Sequence, residues 1–442
     1  MTQSAEIRLW GRRIGAVLIE DQAPDAVFEY DPRFVRSAIQ VAPLTMPLRE
    51  GSHVFPELGH ETFKGLPGLL ADSLPDHFGS AVLDTWLAKQ GRSPESVSAV
   101  ERLRYTGARG MGALEFAPVT GPSRDSSKEI SIPSLVRLAS EILSEREEFL
   151  RRLSEGKEEE DSLLDIISVG ASAGGRRAKA VIAWNRASGS IHSGQVEADP
   201  GFEHWLMKFD GVSDGAGLED PRGYGAIEFA YSEMAREAGV TMSECRLYEE
   251  GGRRHFMTRR FDRPSGNGKL HMQSLGALAH YDFNRPGAYS YEQAMMTLRR
   301  LELPMKDIEQ QFRRMAFNVI ARNQDDHVKN IAYLMDPEGR WSLSPAFDVT
   351  FSFRPSGGPT AQHQMSINQK LDDFTLEDLE LCATSASMKR GRAAAIVGEV
   401  REAVANWPRH AEAGGVSAPK IEQIARAHRL ILPQRAGGEP VS

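Results

Sequence analysis

Three polar residues in the C-terminal half have the types and spacing that phosphoryl transfer needs. Asp325, Asn330 and Asp348 lie in FNVIARNQDDHVKNIAYLMDPEGRWSLSPAFDVTFS, residues 317–352. A carboxylate can orient an attacking hydroxyl and accept its proton, and carboxylate and amide oxygens are ligands that Mg²⁺ prefers. The segment therefore predicts Asp325 as a base, with Asn330 and Asp348 as oxygen ligands of a metal ion.

The order of these three residues follows the pattern of protein kinases. There the base precedes the metal-binding asparagine by five residues, and a metal-binding aspartate follows a hairpin. Asp325 and Asn330 have this spacing. The apolar IAYLM, the turn DPEGR and the short WSL predict the hairpin before Asp348.

An upstream lysine and glutamate complete the kinase pattern. Kinases bind the α- and β-phosphates with a lysine on a strand, and a glutamate on the next helix holds that lysine. Lys208, in the strand-like HWLMKFD, suits the first role. Glu228 suits the second, with Glu233 as its competitor in the helical AIEFAYSEMAREAG.

The stretch GASAGG, residues 170–175, has three interpretations. Residues 170–174 fit G-x-S-x-G, the turn that presents the nucleophilic serine of a hydrolase, here Ser172. That turn must lead into a helix, whereas the following KAVIAW favours a strand, which disfavours a hydrolase. With LLDIISV (163–169) interpreted as a preceding strand, the loop either covers nucleotide phosphates or is an ordinary glycine-rich hairpin.

The triplet Asp325-Asp326-His327 leaves a second chemistry open. Together with Asp348, these side chains could ligate one or two ions of a metal-dependent phosphohydrolase. Such sites usually contain several histidines, and His327 is the single histidine of residues 317–352. We expect His327 to orient its neighbours, or to be a satisfied polar residue, rather than to bind a metal.

Composition limits the other function classes. The chain has 442 residues, a formal net charge of -8 and a pI near 5.9, which argues for several subdomains and against a chain that coats nucleic acid. Cys245 and Cys382 are too far apart for a C-x-x-C site, which favours a reducing compartment. No apolar run approaches the roughly 18 residues that span a bilayer, so we expect a cytoplasmic protein with no membrane partner.

The elements that must position the site change in type along the chain. Alternating apolar positions over residues 6–30 predict short antiparallel strands, and helical spacing follows from Leu66 to Leu87. The polar GPSRDSSK, 121–128, predicts a linker. A β-rich middle precedes an α-rich end, with helices expected at 291–302, 308–322, 375–388, 394–406 and 418–430. This arrangement predicts two lobes with a site between them.

Four blocks resemble the HipA family of serine/threonine kinases, the toxins of bacterial type II toxin-antitoxin modules. They are SAGGRRAKA (172–180), LMKF (206–209), RRFDR (259–263), and NQDDHVKN with AFDV (323–330 and 346–349). The resemblance implies an α+β, two-lobed protein-kinase-like fold with a small N-terminal α+β subdomain and an all-helical C-terminal lobe. The implied domains are the HipA-type subdomain at 1–120, a kinase N-lobe at 121–262 and a helical C-lobe at 263–442.

The resemblance also implies a role for each matching residue. Asp325 is the expected base, Asn330 and Asp348 bind Mg²⁺, and His327 and Lys329 line the site beside ATP. The other expected ATP contacts are Ala173, Gly174, Gly175, Arg176, Arg177, Ala178 and Lys179 over the phosphates, Lys208, and Arg259, Arg260 and Phe261 on the adenine side. Ser172, or alternatively Ser168, is the expected autophosphorylation site, where a dianionic phosphate would repel ATP and switch the kinase off.

Three positions depart from these patterns. Asp348 is followed by Val349 instead of glycine, Ala178 stands where many relatives have proline, and Arg259 stands where they often have glutamate. None of these changes removes a phosphate or metal ligand. Activity with ATP and Mg²⁺ is therefore expected.

The resemblance further implies the partners of the chain. The implied protein substrate is an aminoacyl-tRNA synthetase, with arrest of translation as the consequence. A HipB-like helix-turn-helix antitoxin would link the chain to operator DNA. Two other functions stay open: a catalytically weak pseudokinase scaffold that binds antitoxin and operator DNA, and a small-molecule kinase.

Overall fold

The computed structural model describes most of the chain. It covers residues 2–20, 23–122, 129–153, 157–170, 177–195, 197–212, 222–264 and 268–434, with the backbone alone at 153 and 157–162. Ser172 and the loop residues 173–176 lie outside this set. Over the described residues, no helix is both long and apolar enough to cross a bilayer.

A five-stranded antiparallel sheet forms the N-terminal region. Its strands are β1 (Gln3–Leu9), β2 (Arg12–Ile19), β3 (Val27–Tyr30), β4 (Ser52–His53) and β5 (Leu114–Ala117), in the order β4-β3-β2-β1-β5. Ile7, Leu9 and Val17 are buried, as the two-residue period of a strand requires. A Cβ on Gly15 would lie 2.4 Å from the carbonyl oxygen of Glu29, so β2 and β3 can approach only with glycine there. The antiparallel strands predicted over residues 6–30 are confirmed.

Among the described residues, eight helices lie between the strands of this sheet in the sequence or follow it. They are α1 (Pro32–Val35), α2 (His60–Phe63), α3 (Gly68–Ala71), α4 (His77–Lys89), α5 (Ala99–Thr106), α6 (Ile132–Ser144), α7 (Arg146–Leu153) and α8 (Lys157–Val169), with a 3-10 turn at Pro94–Ser96. Helices α4, α6 and α8 bury Phe78, Leu135 and Ile166 together. Asp76 starts α4, because its side chain accepts a hydrogen bond from the backbone amide of Gly79.

Helix α8 shows that the strand predicted for LLDIISV is wrong. Leu163, Ile166 and Ile167 are buried at the i, i+3, i+4 spacing of a helix face. A short apolar run fits a buried strand and a buried helix equally well, and here the charged residues before it continue the helix. Residues 171–176, which lie outside the described residues, therefore come after a helix and before a strand in the sequence. A nucleophile elbow has the reverse order, which excludes the hydrolase interpretation.

A second antiparallel sheet carries the lysines expected to contact ATP. It contains β6 (Lys179–Trp184), β7 (Ile191–Ser193), β8 (Glu203–Lys208), β9 (Cys245–Glu250) and β10 (Arg253–Arg259), in the order β7-β6-β8-β10-β9. Helix α9 (Tyr224–Glu237) lies between β8 and β9 in the sequence. The carboxylate of buried Asp210 accepts hydrogen bonds from the amides of Gly223 and Gly225, which fixes the start of α9.

The C-terminal half is mostly helical, with three short strands. The strands are β11 (His271–Ser274), β12 (Ala332–Met335) and β13 (Trp341–Leu343), in the order β11-β12-β13. The helices are α10 (Leu275–Ala279), α11 (Tyr291–Arg300), α12 (Met305–Ile320), α13 (Leu376–Ser385), α14 (Arg392–Ala405), α15 (Trp407–Ala413) and α16 (Ala418–Ala427), with 3-10 turns at Val328–Asn330 and Pro359–Ala361. Capping boxes at Ser290 and Thr375 start α11 and α13. The five predicted helices and the two strands before Asp348 are confirmed.

The chain divides into two compact units. The first contains Met1–Gly225, Cys245–Gln273 and Leu334–Arg340. The second contains Ala226–Glu244, Ser274–Tyr333 and Trp341–Ser442. The residues expected to contact the nucleotide therefore belong mainly to the first unit, and Asp325, Asn330 and Asp348 belong to the second.

Buried histidines make the stability of the fold depend on pH. Burial lowers the pKa of His204, His271, His280 and His428 to about 4 in each case. Below the unfolded pKa of about 6.5, the unfolded chain binds protons that the folded chain does not, so acid favours unfolding. We expect the free energy of unfolding to be largest above pH 6.5 and to fall as the pH drops towards 4, by on the order of 1–3 kcal/mol for one histidine.

Urea unfolding at pH 7.5 and at pH 5 checks this expectation. The matched variant is His271→Gln, because His271 is fully buried and its Nε2 lies 3.2 Å from the carbonyl oxygen of Val41. Glutamine keeps a polar side chain but cannot titrate, so the variant should lose less stability between the two pH values. Equal unfolding free energies of the wild type at both pH values would contradict the prediction.

Candidate functional site

The polar segment of the site begins where α12 ends. Arg322 takes a left-handed backbone conformation with φ of 57°, which turns the chain out of the helix. The side-chain amide of Asn323 then donates to Oδ1 of Asn318, 2.9 Å away. The backbone amide of Gln324 donates to the carbonyl oxygen of Ser352 at 3.0 Å. These two hydrogen bonds hold Asn323 and Gln324, the residues directly before Asp325, in place.

Asp326 is a buried anchor. Its Oδ2 accepts hydrogen bonds of 2.7 Å from the hydroxyl of Tyr291 and from Nδ1 of His363, and its Oδ1 accepts one of 2.8 Å from the amide of Gln364. Burial alone would raise the pKa of Asp326, but the attraction of His363 and these hydrogen bonds outweigh it, so the pKa lies below its usual value. Asp326 therefore holds the loop in place.

Asp325, one residue earlier, points towards solvent. Its side chain is 54% exposed, and its Oδ1 lies 4.0 Å from Nε2 of His327. The side-chain amide of Asn330 donates to the backbone carbonyl of Asp325 at 2.8 Å, across the 3-10 turn Val328–Asn330. The fixed backbone presents an exposed carboxylate beside an imidazole, an arrangement suited to a general base.

Asp348 is presented by the segment after β13. The backbone amide of Ala346 donates to the carbonyl oxygen of Thr241 at 2.8 Å, which anchors the segment. Asp348 has a left-handed backbone with φ of 52°, which is uncommon for a residue with a side chain. Val349 is buried behind it. Such a local strain is typical of functional positions.

Asn330 and Asp348 could supply oxygen ligands of the type that a magnesium ion takes. Because the amide nitrogen of Asn330 is used in the bond to Asp325, its carbonyl oxygen is left as the ligand atom. That oxygen and the carboxylate of Asp348 are hard donors of the kind Mg²⁺ takes. The rival two-ion phosphohydrolase site would also need Asp326, whose oxygens already accept three hydrogen bonds. The described residues contain no cluster of three or more histidine, cysteine, aspartate or glutamate side chains that could hold a metal.

Two lysines face each other in the second sheet. Lys179 of β6 pairs directly with Lys208 of β8, and both side chains are buried. Nζ of Lys179 lies 3.2 Å from Oδ2 of Asp76, and Nζ of Lys208 lies 5.8 Å from the ring centroid of Phe256. Opposed lysines repel each other, and the carboxylate of Asp76 offsets that repulsion. The structure thus places Lys179 in an ion pair with Asp76.

The arginines of the expected ATP site have different surroundings. Arg177 lies over the ring of Tyr224, with its Cζ 4.8 Å from the centroid. Arg259 is 42% exposed, with Nη2 3.6 Å from Oε1 of Glu203. Ala178 is buried, and Phe261 is partly exposed. Arg177, Arg259 and Phe261 therefore keep some solvent access.

Arg260 belongs to a buried charge cluster around Asp262, which we call the Asp262 cluster: Gly110, Gly112, Arg260, Asp262 and Arg263. Asp262 accepts hydrogen bonds from Arg260 at 2.6 and 2.9 Å, from Arg263 at 2.7 Å and from the amide of Gly112 at 2.7 Å. The guanidinium groups also donate to the carbonyl oxygens of Gly110 and Gly112. Burial opposes ionisation of Asp262, but the two cations hold its pKa well below the usual value. The side chain of Arg260 thus stabilises the fold.

The remaining predicted residues lie on α8 and α9. Glu228 is fully buried, whereas Glu233 is half-exposed and bound to Arg236. Ser168 lies in the last turn of α8, where its hydroxyl donates to the carbonyl oxygen of Asp165 at 2.7 Å.

Sequence reasoning missed three features of the site. Asp76 lies far from Lys179 in the sequence, and no local signal links them. Asp262 could have been noticed as the one acid within RRFDR, between basic neighbours. Phe283 contacts both His327 and Lys329, and the aromatic spacing of HYDFNRPGAY was the signal available for it.

Two models of protein families match most of the chain. A family model described as the HipA-like C-terminal domain matches residues 171–407, and one described as the HipA N-terminal domain matches residues 5–117. No curated protein matches the chain.

Solved structures include two relatives. The first is HipA of Shewanella oneidensis MR-1, solved with HipB and its operator DNA. It is 14% identical, with a TM-score of 0.64 over 96% of this chain and 94% of that chain. The second is the proinflammatory kinase CtkA of Helicobacter pylori, 12% identical with a TM-score of 0.32 over 52% of this chain and 88% of that chain. The Shewanella likeness shows the fold, and the predicted α+β class is confirmed, whereas the C-terminal lobe that was expected to be all-helical also contains strands β11 to β13.

Proposed function

The chain belongs to the HipA family, and on that premise we propose that it is an ATP-dependent protein kinase acting on serine or threonine. The observation that carries the proposal is the loop of the second unit. There buried Asp326 fixes the backbone, while neighbouring Asp325 offers an exposed carboxylate with Asn330 bonded to its carbonyl. A kinase needs a fixed base five residues before a metal-binding asparagine, and this loop has an aspartate and an asparagine at that spacing, which supports the proposal.

The proposed roles follow from the positions of the side chains. Asp325 orients the acceptor hydroxyl and takes its proton. His327 and Lys329 lie on the same loop and stabilise negative charge on the transferring group. Lys208 binds the α- and β-phosphates. The loop residues 173–176 are proposed to cover the phosphates and lie outside the described residues.

Asn330 and Asp348 would hold the magnesium ion. A bound Mg²⁺ would neutralise charge on the phosphate oxygens and fix their direction. The chain's own contribution is to present an amide oxygen and a carboxylate oxygen on rigid backbone, since Asn330 is tied to Asp325 and the Asp348 segment is tied to Thr241.

The partners are proposed from the family and from the Shewanella structure. That structure contains HipA with HipB and operator DNA. We extend this to a HipB-like helix-turn-helix antitoxin that links the present chain to operator DNA, and to a toxin role. The proposed protein substrate is an aminoacyl-tRNA synthetase, as the family resemblance implies.

Incubation of the purified protein with labelled ATP and a bacterial lysate tests the proposed function. A protein kinase transfers label to serine or threonine in the protein fraction, and only with Mg²⁺ present. Label confined to small molecules would favour a metabolite kinase instead. No Mg²⁺-dependent binding of ATP would favour the scaffold.

Autophosphorylation is a separate prediction. We expect peptide mass spectrometry after incubation with Mg·ATP to find phosphate on Ser172 in the wild type and not in Ser172→Ala. The rival Ser168 lies in α8 with its hydroxyl bonded to Asp165, so it would have to leave the helix to react. Ser168→Ala should therefore still be phosphorylated, and loss of phosphate in that variant alone would contradict the assignment.

A further inference from the structure

Residues 280–290, HYDFNRPGAYS, form a loop between α10 and α11 that we call the aromatic loop. The rings of Tyr281 and Tyr289 are stacked, 4.2 Å apart with an interplanar angle of 16°. The hydroxyl of Tyr289 accepts a hydrogen bond of 2.8 Å from the amide of Asp282, and Oδ1 of Asp282 accepts one of 3.0 Å from the amide of Asn284. These contacts bracket Phe283 and fix the direction of its backbone.

Phe283 contacts Lys329 and His327, the two basic side chains in the segment 325–330. Nζ of Lys329 lies 4.8 Å from the centroid of the Phe283 ring, within the range of a cation–π interaction. The ring of His327 lies 5.8 Å from the same centroid, tilted by 50°. Both contacts lie within the second unit, and the Phe283 ring is partly exposed.

These contacts restrict the groups beside Asp325. Lysine has a flexible four-carbon stem, so an unrestrained Lys329 would sample many positions. The attraction to the ring face limits those positions, and the packing of His327 on the ring holds its Nε2 4.0 Å from Oδ1 of Asp325. A single aromatic side chain from a different loop thus contacts two ionisable side chains of the segment that carries Asp325.

We propose that Phe283 is a positioning residue for phosphoryl transfer, and that it acts by restricting Lys329 and by holding His327 beside Asp325. The inference rests on the proposed kinase function. Phe283 itself makes and breaks no bond. Its effect is to arrange Lys329 and His327 before the transition state forms, because electrostatic stabilisation depends on where the stabilising groups lie.

Steady-state kinetics on Phe283→Leu and Phe283→Trp test the proposal. Leucine keeps an apolar side chain but removes the negative face of the ring, and tryptophan keeps that face. We expect Phe283→Leu to lower kcat about tenfold, the effect of losing one cation–π contact near a reacting centre, while KM for ATP changes less than about twofold. Phe283→Trp should recover most of the lost kcat.

A double-mutant cycle with Lys329→Gln shows whether Phe283 acts through Lys329. If it does, Phe283→Leu should lower kcat much less in the Lys329→Gln background than in the wild type. Phe55→Leu is the matched control, since it also removes a partly exposed ring that packs on a histidine, here His53, outside the candidate site. An equal loss of kcat in Phe55→Leu, or fully additive losses in the cycle, would overturn the positioning role.

A spectroscopic readout needs no activity. Reductive methylation of the lysines with ¹³C-formaldehyde gives one NMR signal for each dimethyl-lysine, and Lys329→Arg identifies the signal of Lys329. A cation over a ring face should be shifted upfield, and Phe283→Leu should return the signal to the position of exposed lysines. An unshifted Lys329 signal in the wild type would overturn the contact itself.

The outcomes separate this inference from the proposed function. If the wild type transfers no phosphate to protein, the proposed kinase function fails, and the role of Phe283 fails with it. If the wild type is active and Phe283→Leu is equally active with an unchanged melting temperature, the role of Phe283 alone is wrong. Recovery of kcat in Phe283→Trp, together with the upfield Lys329 signal, supports both.

Discussion

Asp325→Asn should lower the rate of phosphoryl transfer by about 10³-fold, the usual contribution of a general base. The amide is close in shape to the carboxylate but cannot take the proton of the acceptor hydroxyl. The substitution should leave the fold intact, because the Asp325 side chain is 54% exposed and the bond from Asn330 goes to its backbone carbonyl.

Transfer of label from ATP and thermal unfolding, measured on the same samples, check this prediction. Glu338→Gln is the matched control, since it removes one negative charge from an exposed turn outside the candidate site. Binding of Mg·ATP by Asp325→Asn should remain close to that of the wild type. An Asp325→Asn protein that keeps more than about a tenth of the wild-type rate would show that another group acts as the base.

Asp326 is the next residue after Asp325, but its role is structural. Asp326→Ala should lower the free energy of unfolding by about 3–5 kcal/mol. The substitution removes the acceptor of three hydrogen bonds and leaves the hydroxyl of Tyr291, Nδ1 of His363 and the amide of Gln364 buried without it. A buried polar group that loses its hydrogen-bond partner destabilises the fold by more than the net energy of that hydrogen bond, because water does not replace the partner.

Urea unfolding of Asp326→Ala beside Asp325→Ala gives the comparison. The two variants remove the same atoms from adjacent residues, so the difference between them reports burial and hydrogen bonding alone. Tyr291→Phe deletes one donor to Asp326 and the acceptor of Asn318, and should cost about 1–3 kcal/mol. Similar unfolding free energies for Asp326→Ala and Asp325→Ala would contradict the anchoring role of Asp326.

Local patterns were sufficient for most of the fold. Alternation predicted the strands over residues 6–30, and the helical period predicted α11 to α14 and α16 to within a few residues. The failure at LLDIISV has a physical cause. The segment LLDIISV can be buried as a strand or as a helix. Which of the two forms depends on the core that it shares with α4 and α6.

The site was predictable where its residues are neighbours in the sequence. Spacing distinguished Asp325, Asn330 and Asp348, but it could not show that Asp326 is buried, because Tyr291 and His363 come from separate segments. The ion pair of Lys179 with Asp76 likewise depends on a distant helix. Contacts between remote segments are created by the fold and leave no periodic trace in the sequence.

The Asp262 cluster bears on how such a gene could be divided or recombined. The N-terminal and C-terminal pieces match separate family models, at residues 5–117 and 171–407. Yet Gly110 and Gly112 of the first piece supply backbone groups to Arg260, Asp262 and Arg263 of the second. A C-terminal piece expressed alone would expose two arginines and one aspartate whose bonding is incomplete, and a replacement N-terminal piece would have to restore the same backbone path. Gene fusion and shuffling at this boundary are therefore limited to partners that reproduce the backbone geometry at Gly110 and Gly112.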